Sequence, residues 1–198
     1  MQRLNLGSGA AVLCAAVAAT LLVFTARSAA APPHKRLYKN SRFSYSLEVP
    51  RGWLVNESPA GVASLLNFPV SQAGPQGLFP MEGAVIDLIP LQAVEPVTGI
   101  QSLEEWIRHN LLHGRSNALV RHPPDLAGGP GRPVDLVEVE ADFIRDIQDS
   151  EPQYEVSYYF RLDGAMFRAM LLYWKHNQDA ARLKRTCEEV VRSVRVLK

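Results

Sequence analysis

The sequence predicts an α+β fold in which a mostly antiparallel sheet is covered on both of its faces. Residues 154–162 and 165–174 form the clearest pair of strands, and Asp163 and Gly164 between them tolerate the positive φ angles of a tight hairpin turn. The second strand is apolar on both faces except at Arg168. A strand of this kind must be covered from both sides, which places it at the centre of the domain.

Two helices are predicted, one in the middle of the chain and one near its end. Ser102 and Glu105 form a Ser-x-x-Glu capping box, which marks the start of the first helix. The second helix spans about residues 178–193 and has one apolar stripe. Cys187 lies in that stripe, and we interpret it as a small buried hydrophobic residue rather than a reactive thiol.

Further strands are indicated by apolar residues at alternate positions. One covers residues 42–49 and ends at Pro50, which has no N–H to donate. Another, over residues 84–91, is indicated instead by a continuous apolar run that is broken only by Asp87 and Pro90 and suits a strand buried on both faces. A third, over residues 137–143, alternates apolar side chains with three carboxylates. We interpret this acidic face as solvated. A calcium site is the alternative, but carboxylates at alternate strand positions are widely spaced for one ion.

The first 30 residues have the layout of a secretory signal peptide. A short positive start is followed by an uncharged apolar stretch and by small residues, with Ala31 as the predicted new N-terminus. An uncleaved anchor formed by residues 4–24 is the alternative, because that stretch is just long enough to span a bilayer. We predict that the chain works outside the cytoplasm, in the periplasm or secreted, with a flexible segment at 31–41 and one domain at 42–198.

Composition limits the remaining function classes. The chain has 198 residues, of which 47% are apolar, and its two cysteines provide no disulfide framework. Without Arg3 and Arg27 of the leader, 19 basic groups face 20 acidic groups. A balance of this kind predicts no general attraction to nucleic acid, and contact with a membrane is expected only if the leader is retained.

Three segments resemble the Mog1/PsbP superfamily of α/β/α sandwiches. They are the opening strand and turn at 43–53, the paired strands at 158–173 and the closing helix at 187–194. The chain departs from the family in having Val194 where phenylalanine is usual, and in a Pro-rich insert at 69–83. The resemblance implies a central antiparallel sheet with helices on both faces. It also implies a non-enzymatic protein that binds other proteins and has no shared catalytic residue.

We therefore predict a secreted, non-catalytic binding or accessory protein of the bacterial cell envelope, which needs no cofactor and acts through contacts with an envelope protein. The sequence contains no Gly-x-Ser-x-Gly elbow, and its five histidines are scattered. The long loop at 69–83 and the outer face of the hairpin are the expected contact surfaces, with Leu78, Phe79 and Tyr159 as contact residues.

Two alternatives stay open. In one, residues 4–24 are retained and the chain is a membrane-tethered structural domain. In the other, His109 and His113, which lie one helical turn apart, bind a metal in a metal-dependent protein or enzyme. The sequence between these histidines lacks the glutamate of a zinc-protease helix, and no third ligand can be named. We therefore favour a solvated helix edge.

Overall fold

A computed structural model describes residues 36–72, 79–112, 115–128, 131–143 and 153–198. All of these residues belong to one compact unit, His34–Lys198. Among them, no helix is both long and apolar enough to cross a membrane.

The described residues form ten strands and three α-helices. The strands are β1 Arg36–Asn40, β2 Tyr45–Val49, β3 Leu54–Glu57, β4 Ala63–Leu66, β5 Ala84–Pro90, β6 Arg115–Arg121, β7 Val134–Phe143, β8 Gln153–Leu162, β9 Ala165–Trp174 and β10 Arg195–Val196. The helices are α1 Leu91–Thr98, α2 Leu103–Leu112 and α3 Ala180–Ser193. Short 3₁₀ helices lie at Val70–Gln72 and Pro124–Leu126.

Within the described part of the chain, seven strands build the main sheet in the order β3-β4-β5-β9-β8-β7-β6, and β1-β2-β10 build a smaller one. Every neighbouring pair is antiparallel. The predicted hairpin between β8 and β9 is confirmed, because Leu162 pairs with Ala165 and the two turn residues, Asp163 and Gly164, have φ angles of 47° and 85°. The prediction of a central, antiparallel β9 is therefore correct.

The main sheet is covered on both faces, as predicted. On one face, Phe167 and Leu171 of β9 pack in a cluster with Leu183 and Cys187 of α3. On the other face, Leu103 and Trp106 of α2 pack in a second cluster with side chains of β7 and β8. Alternate residues of β9 thus enter different clusters, which explains why both of its faces are apolar.

A loop, rather than a helix, covers the rest of the second face. Phe68 and Phe79 stack with their ring centroids 5.9 Å apart and pack against Leu66 and Leu172. The indole N–H of Trp174 donates to the backbone oxygen of Phe79 at 3.1 Å. The two ends of the Pro-rich insert are therefore fixed to the sheet.

Two segments differ from what the sequence analysis expected. Part of the segment at 31–41 that was expected to be flexible is strand β1, which pairs along its whole length with β2. Helix α1 was not predicted, because Pro90 directly precedes it, Pro96 lies within it, and proline usually ends a helix. Here Pro90 precedes the first helical residue, Pro96 lies near the end, and Gly99 terminates the helix at a φ of 71°.

Candidate partner-binding surface

Two of the three predicted contact residues are buried. Leu78 lies outside the described residues. Phe79 is only 7% exposed and Tyr159 only 1% exposed, so the expectation that these two side chains face solvent is wrong. The ring of Tyr159 does point away from that of Tyr158, as the strand period requires, but α2 covers that face and Trp106 packs edge-on against Tyr159 at 5.8 Å.

Only one histidine of the predicted metal-binding pair lies among the described residues. His109 lies on α2, whereas His113 falls outside the described residues. Within the described residues, no group of three histidine, cysteine, aspartate or glutamate side chains is arranged to hold a metal ion. The start of α2 shows one of the two bonds of the predicted capping box, since Ser102 Oγ accepts from the Glu105 N–H at 3.1 Å. The Glu105 carboxylate accepts from the N–H of Gln101 rather than from that of Ser102.

The acidic face of β7 is not solvated, and that prediction was wrong. Glu138 and Asp142 are buried, because α3 and the neighbouring strands lie over this face. Lys184 of α3 donates to Glu138 at 3.0 Å and also to Glu140, and Arg121 of β6 lies 3.3 and 3.2 Å from the same two carboxylates. The carboxylates therefore attach α3 and β6 to the sheet.

The cations lower the pKa values of two of these carboxyl groups. Burial alone would raise the pKa of Glu140, but the Lys184 ammonium outweighs it and holds that pKa below its usual value. Hydrogen bonds from Lys175 and Asn117 lower the pKa of Asp142. Both groups are thus stabilised in their charged forms in the folded chain.

Acid is expected to weaken the fold through these groups. Because the pKa values of Glu140 and Asp142 are lower in the folded chain than in the unfolded one, their stabilisation is complete above about pH 5 and is lost as the pH falls through about 4 and below. We expect the urea midpoint to fall between pH 7 and 3, and to fall less steeply in Lys184→Met. The control Arg182→Met removes an exposed pair with Asp179 and should keep the wild-type slope. An unchanged slope in Lys184→Met would contradict this account.

A buried charged cluster, which the sequence analysis missed, lies between the sheet and α2. Glu155 accepts from Arg115 and from Arg168, each at 2.7 Å. The Ser157 hydroxyl donates to Glu155 at 2.7 Å and accepts from Arg168 Nε at 3.0 Å. Arg115 also donates to the backbone oxygen of Asn110 at 3.0 Å, which connects the cluster to the last turns of α2.

The opposite charges in this buried cluster stabilise one another. Burial alone would raise the pKa of Glu155, but Arg168 and Arg115 hold it below its usual value. Burial alone would lower the pKa of Arg168, yet Glu155 keeps it above its usual value. Both side chains therefore stay charged. The Ser157 hydroxyl bonds to Glu155 and Arg168, and in this arrangement it links the two charged groups rather than acting as a nucleophile. These polar groups serve to hold β6, β8, β9 and α2 together.

Cys187 is also structural. Its thiol is fully buried inside the α3 cluster, and burial raises its pKa far above the usual range, so it stays protonated. The interpretation of Cys187 as a small buried hydrophobic residue agrees with this position.

Exposed apolar side chains lie beside the aromatic cluster. Val70 and Met81 are 47% and 53% exposed, and each lies two residues along the chain from one of the stacked rings, Phe68 and Phe79. Next to Met81 is an open cavity of about 410 Å³, which we call the Met81 pocket. Its lining residues are Met81, Glu82, Trp174, His176, Asn177, Gln178 and Asp179.

Comparisons with known proteins show structural neighbours only. No protein-family model matches the chain, and no curated protein matches it. Among solved structures, the Ran-binding protein Mog1p of Saccharomyces cerevisiae is similar, with 12% identity and a TM-score of 0.45 over 83% of this chain and 96% of that one. A point mutant of the protein Mog1 is similar at 13% identity and a TM-score of 0.46, over 83% of this chain and 97% of that one.

The structure is thus an α+β sandwich with a central antiparallel sheet and helices on both faces. The likeness to the two Mog1 structures concerns the fold alone.

Proposed function

We propose that this chain is a non-catalytic protein that binds another protein through the surface around Met81. The observation that carries this proposal is the pair of half-exposed apolar side chains, Val70 and Met81, attached to a rigid aromatic cluster. Exposed apolar groups beside an aromatic anchor are typical of protein interfaces. The Pro-rich insert that carries them is also the longest loop predicted from the sequence, and long loops are often functional.

The internal polar groups support a non-catalytic role. Glu155, Arg168, Arg115 and Ser157 bind one another, and Glu138 and Glu140 bind Lys184 and Arg121. Catalytic acids and bases need partners that leave them available to a substrate. In both clusters the hydrogen bonds instead connect one structural element to another.

We also propose that the chain is exported to the periplasm or secreted, and that its partner is an envelope protein. This part is supported by the charged start, the apolar stretch and the small residues in the first 31 positions. N-terminal sequencing of the protein from fractionated host cells tests it, with a start near Ala31 expected. A chain that keeps residues 4–24 and sediments with membranes would instead favour the tethered alternative.

Affinity purification from the native host tests the binding function. We expect one envelope protein to co-purify with the wild-type chain in a near-stoichiometric amount. The two purified proteins should then bind each other in isothermal titration calorimetry. Met81→Lys should weaken that binding by about tenfold or more, because it places a charge in an apolar contact. The matched control is Val97→Lys, since Val97 of α1 is 88% exposed and lies outside the surface. Equal binding by both variants would contradict the location, and failure to recover any partner would contradict the function.

A further inference from the structure

The lining of the Met81 pocket combines aromatic, apolar and anionic groups. Trp174 provides an indole ring, Met81 a thioether and Glu82 and Asp179 two carboxylates. The pocket is lined by neither lysine nor arginine. An indole ring and a carboxylate on the walls of one cavity attract a cation, the first through its ring face and the second through its charge.

The indole ring is held in place before any ligand arrives. Trp174 Nε1 donates to the Phe79 backbone oxygen at 3.1 Å, and the rings of Trp174 and Phe79 lie 5.7 Å apart. Phe79 in turn stacks on Phe68. A side chain fixed in this way loses little conformational entropy on binding, which favours affinity.

The two carboxylates differ in whether a cation is already paired with them. Asp179 is paired with Arg182, so its charge is already compensated. Glu82 has no ion-pair partner among the described residues and is exposed beside Met81. Glu82 is therefore the group on this wall whose charge is available to a ligand.

We propose that the Met81 pocket receives a lysine or arginine side chain of the protein partner, with its charged end near Glu82 and its aliphatic part against Trp174 and Met81. This inference rests on the proposed function and adds the chemistry of the partner: a basic residue on an exposed segment. Glu82 supplies the charge complementarity, and Trp174 supplies the surface for the side chain.

Amide-blocked amino acids test the pocket without the partner. The probe is N-acetyl-arginine amide, with N-acetyl-lysine amide in parallel. Each is added to ¹⁵N-labelled protein that was expressed from the full sequence and purified in the form that the cell produces. We expect the indole N–H signal of Trp174 to shift saturably, while those of Trp53 and Trp106 stay in place. The neutral N-acetyl-citrulline amide, which has nearly the same shape as the arginine probe, should shift the Trp174 signal much less.

Charge-neutralising variants sharpen the test. Glu82→Gln should weaken binding of the arginine probe by about two- to fivefold, the range that an exposed ion pair supplies. The control Glu95→Gln neutralises a glutamate on α1 and should leave binding unchanged. Equal shifts with the citrulline probe, equal effects of the two variants, or no shift of Trp174 would each overturn the inference.

The two proposals fail differently. If Met81→Lys abolishes partner binding while Glu82→Gln leaves it unchanged, the binding function stands and the basic anchor is wrong. If the arginine probe binds as expected but no envelope partner exists, the pocket chemistry stands and the proposed function is wrong.

Discussion

Replacing Arg168 with leucine is expected to lower the free energy of unfolding by about 3–5 kcal/mol, the range found when one partner of a buried ion pair is removed. Arg168 is buried and donates to Glu155 at 2.7 Å and to Ser157 at 3.0 Å. Without it, the Glu155 carboxylate keeps Arg115 but loses its second cation, and the Ser157 hydroxyl loses a donor. Urea unfolding followed by circular dichroism measures the change.

Two variants keep this prediction testable if the leucine variant does not fold. Arg168→Lys keeps the charge but loses the planar fork of donors, so an intermediate loss is expected. The matched control is Arg161→Leu, which removes a half-exposed arginine lying 3.5 Å from Asp135 and 3.9 Å from Glu104. It should cost less than about 1 kcal/mol. Equal losses in Arg161→Leu and Arg168→Leu would contradict the structural role of the buried cluster.

Replacing Phe79 with alanine is expected to cost about 3–5 kcal/mol, as for other large-to-small changes of buried aromatic residues. Phe79 packs between Phe68 and Trp174, and the variant leaves a cavity under the ends of the Pro-rich insert. Thermal and urea unfolding measure the loss. An exposed contact residue, which Phe79 was expected to be from the sequence, would show almost no change.

Met81→Ala is the control for Phe79→Ala, because it shortens a half-exposed side chain two residues away. We expect its effect on stability to stay within about 0.5 kcal/mol, while its effect on partner binding is larger than its effect on stability. If Met81→Ala destabilised the chain as much as Phe79→Ala, the distinction between a packing residue and a surface residue would fail.

The sequence was informative where local chemistry decides the structure. Asp163 and Gly164 adopt the positive φ angles that their types favour, and the strands on either side pair in the register that this turn sets. Gly52 has a φ of 79° in the turn after Pro50, and the Trp53 N–H donates to the Pro50 oxygen at 3.1 Å. In these places, neighbouring residues contain all the necessary information.

It was less informative where distant segments meet. The period of β8 assigned Tyr159 to the correct face, but only the path of α2 decides that this face is buried. The carboxylates of β7 lie at alternate positions, which is typical of a solvent-exposed strand face. Lys184, more than 40 positions away, nevertheless neutralises two of them. Helix α1 could not be predicted for a similar reason. Its prolines disfavour a helix locally, and packing against the rest of the fold stabilises it.

The buried cluster had one signal that could have been used. Glu155, Ser157 and Arg168 are polar residues on one face of the hairpin, and Arg168 pairs with Tyr159, four positions from Glu155. Ser157 lies between them on that face and bonds both side chains, so a polar residue at this intermediate position was the available sign that the long guanidinium reaches the carboxylate. The contact with Arg115 could not have been predicted, since Arg115 reaches Glu155 from a strand 40 residues away.

The central claim is that the interior polar residues serve architecture, whereas the surface around Met81 binds a protein. Site-specific photocrosslinking in host cells tests it most directly, with the photoreactive residue at position 81 and, as the control, at position 97. We predict one discrete crosslinked partner from position 81 that is absent from position 97 and diminished by Glu82→Gln. Crosslinking of the same partner from position 97, or from neither position, would contradict the account.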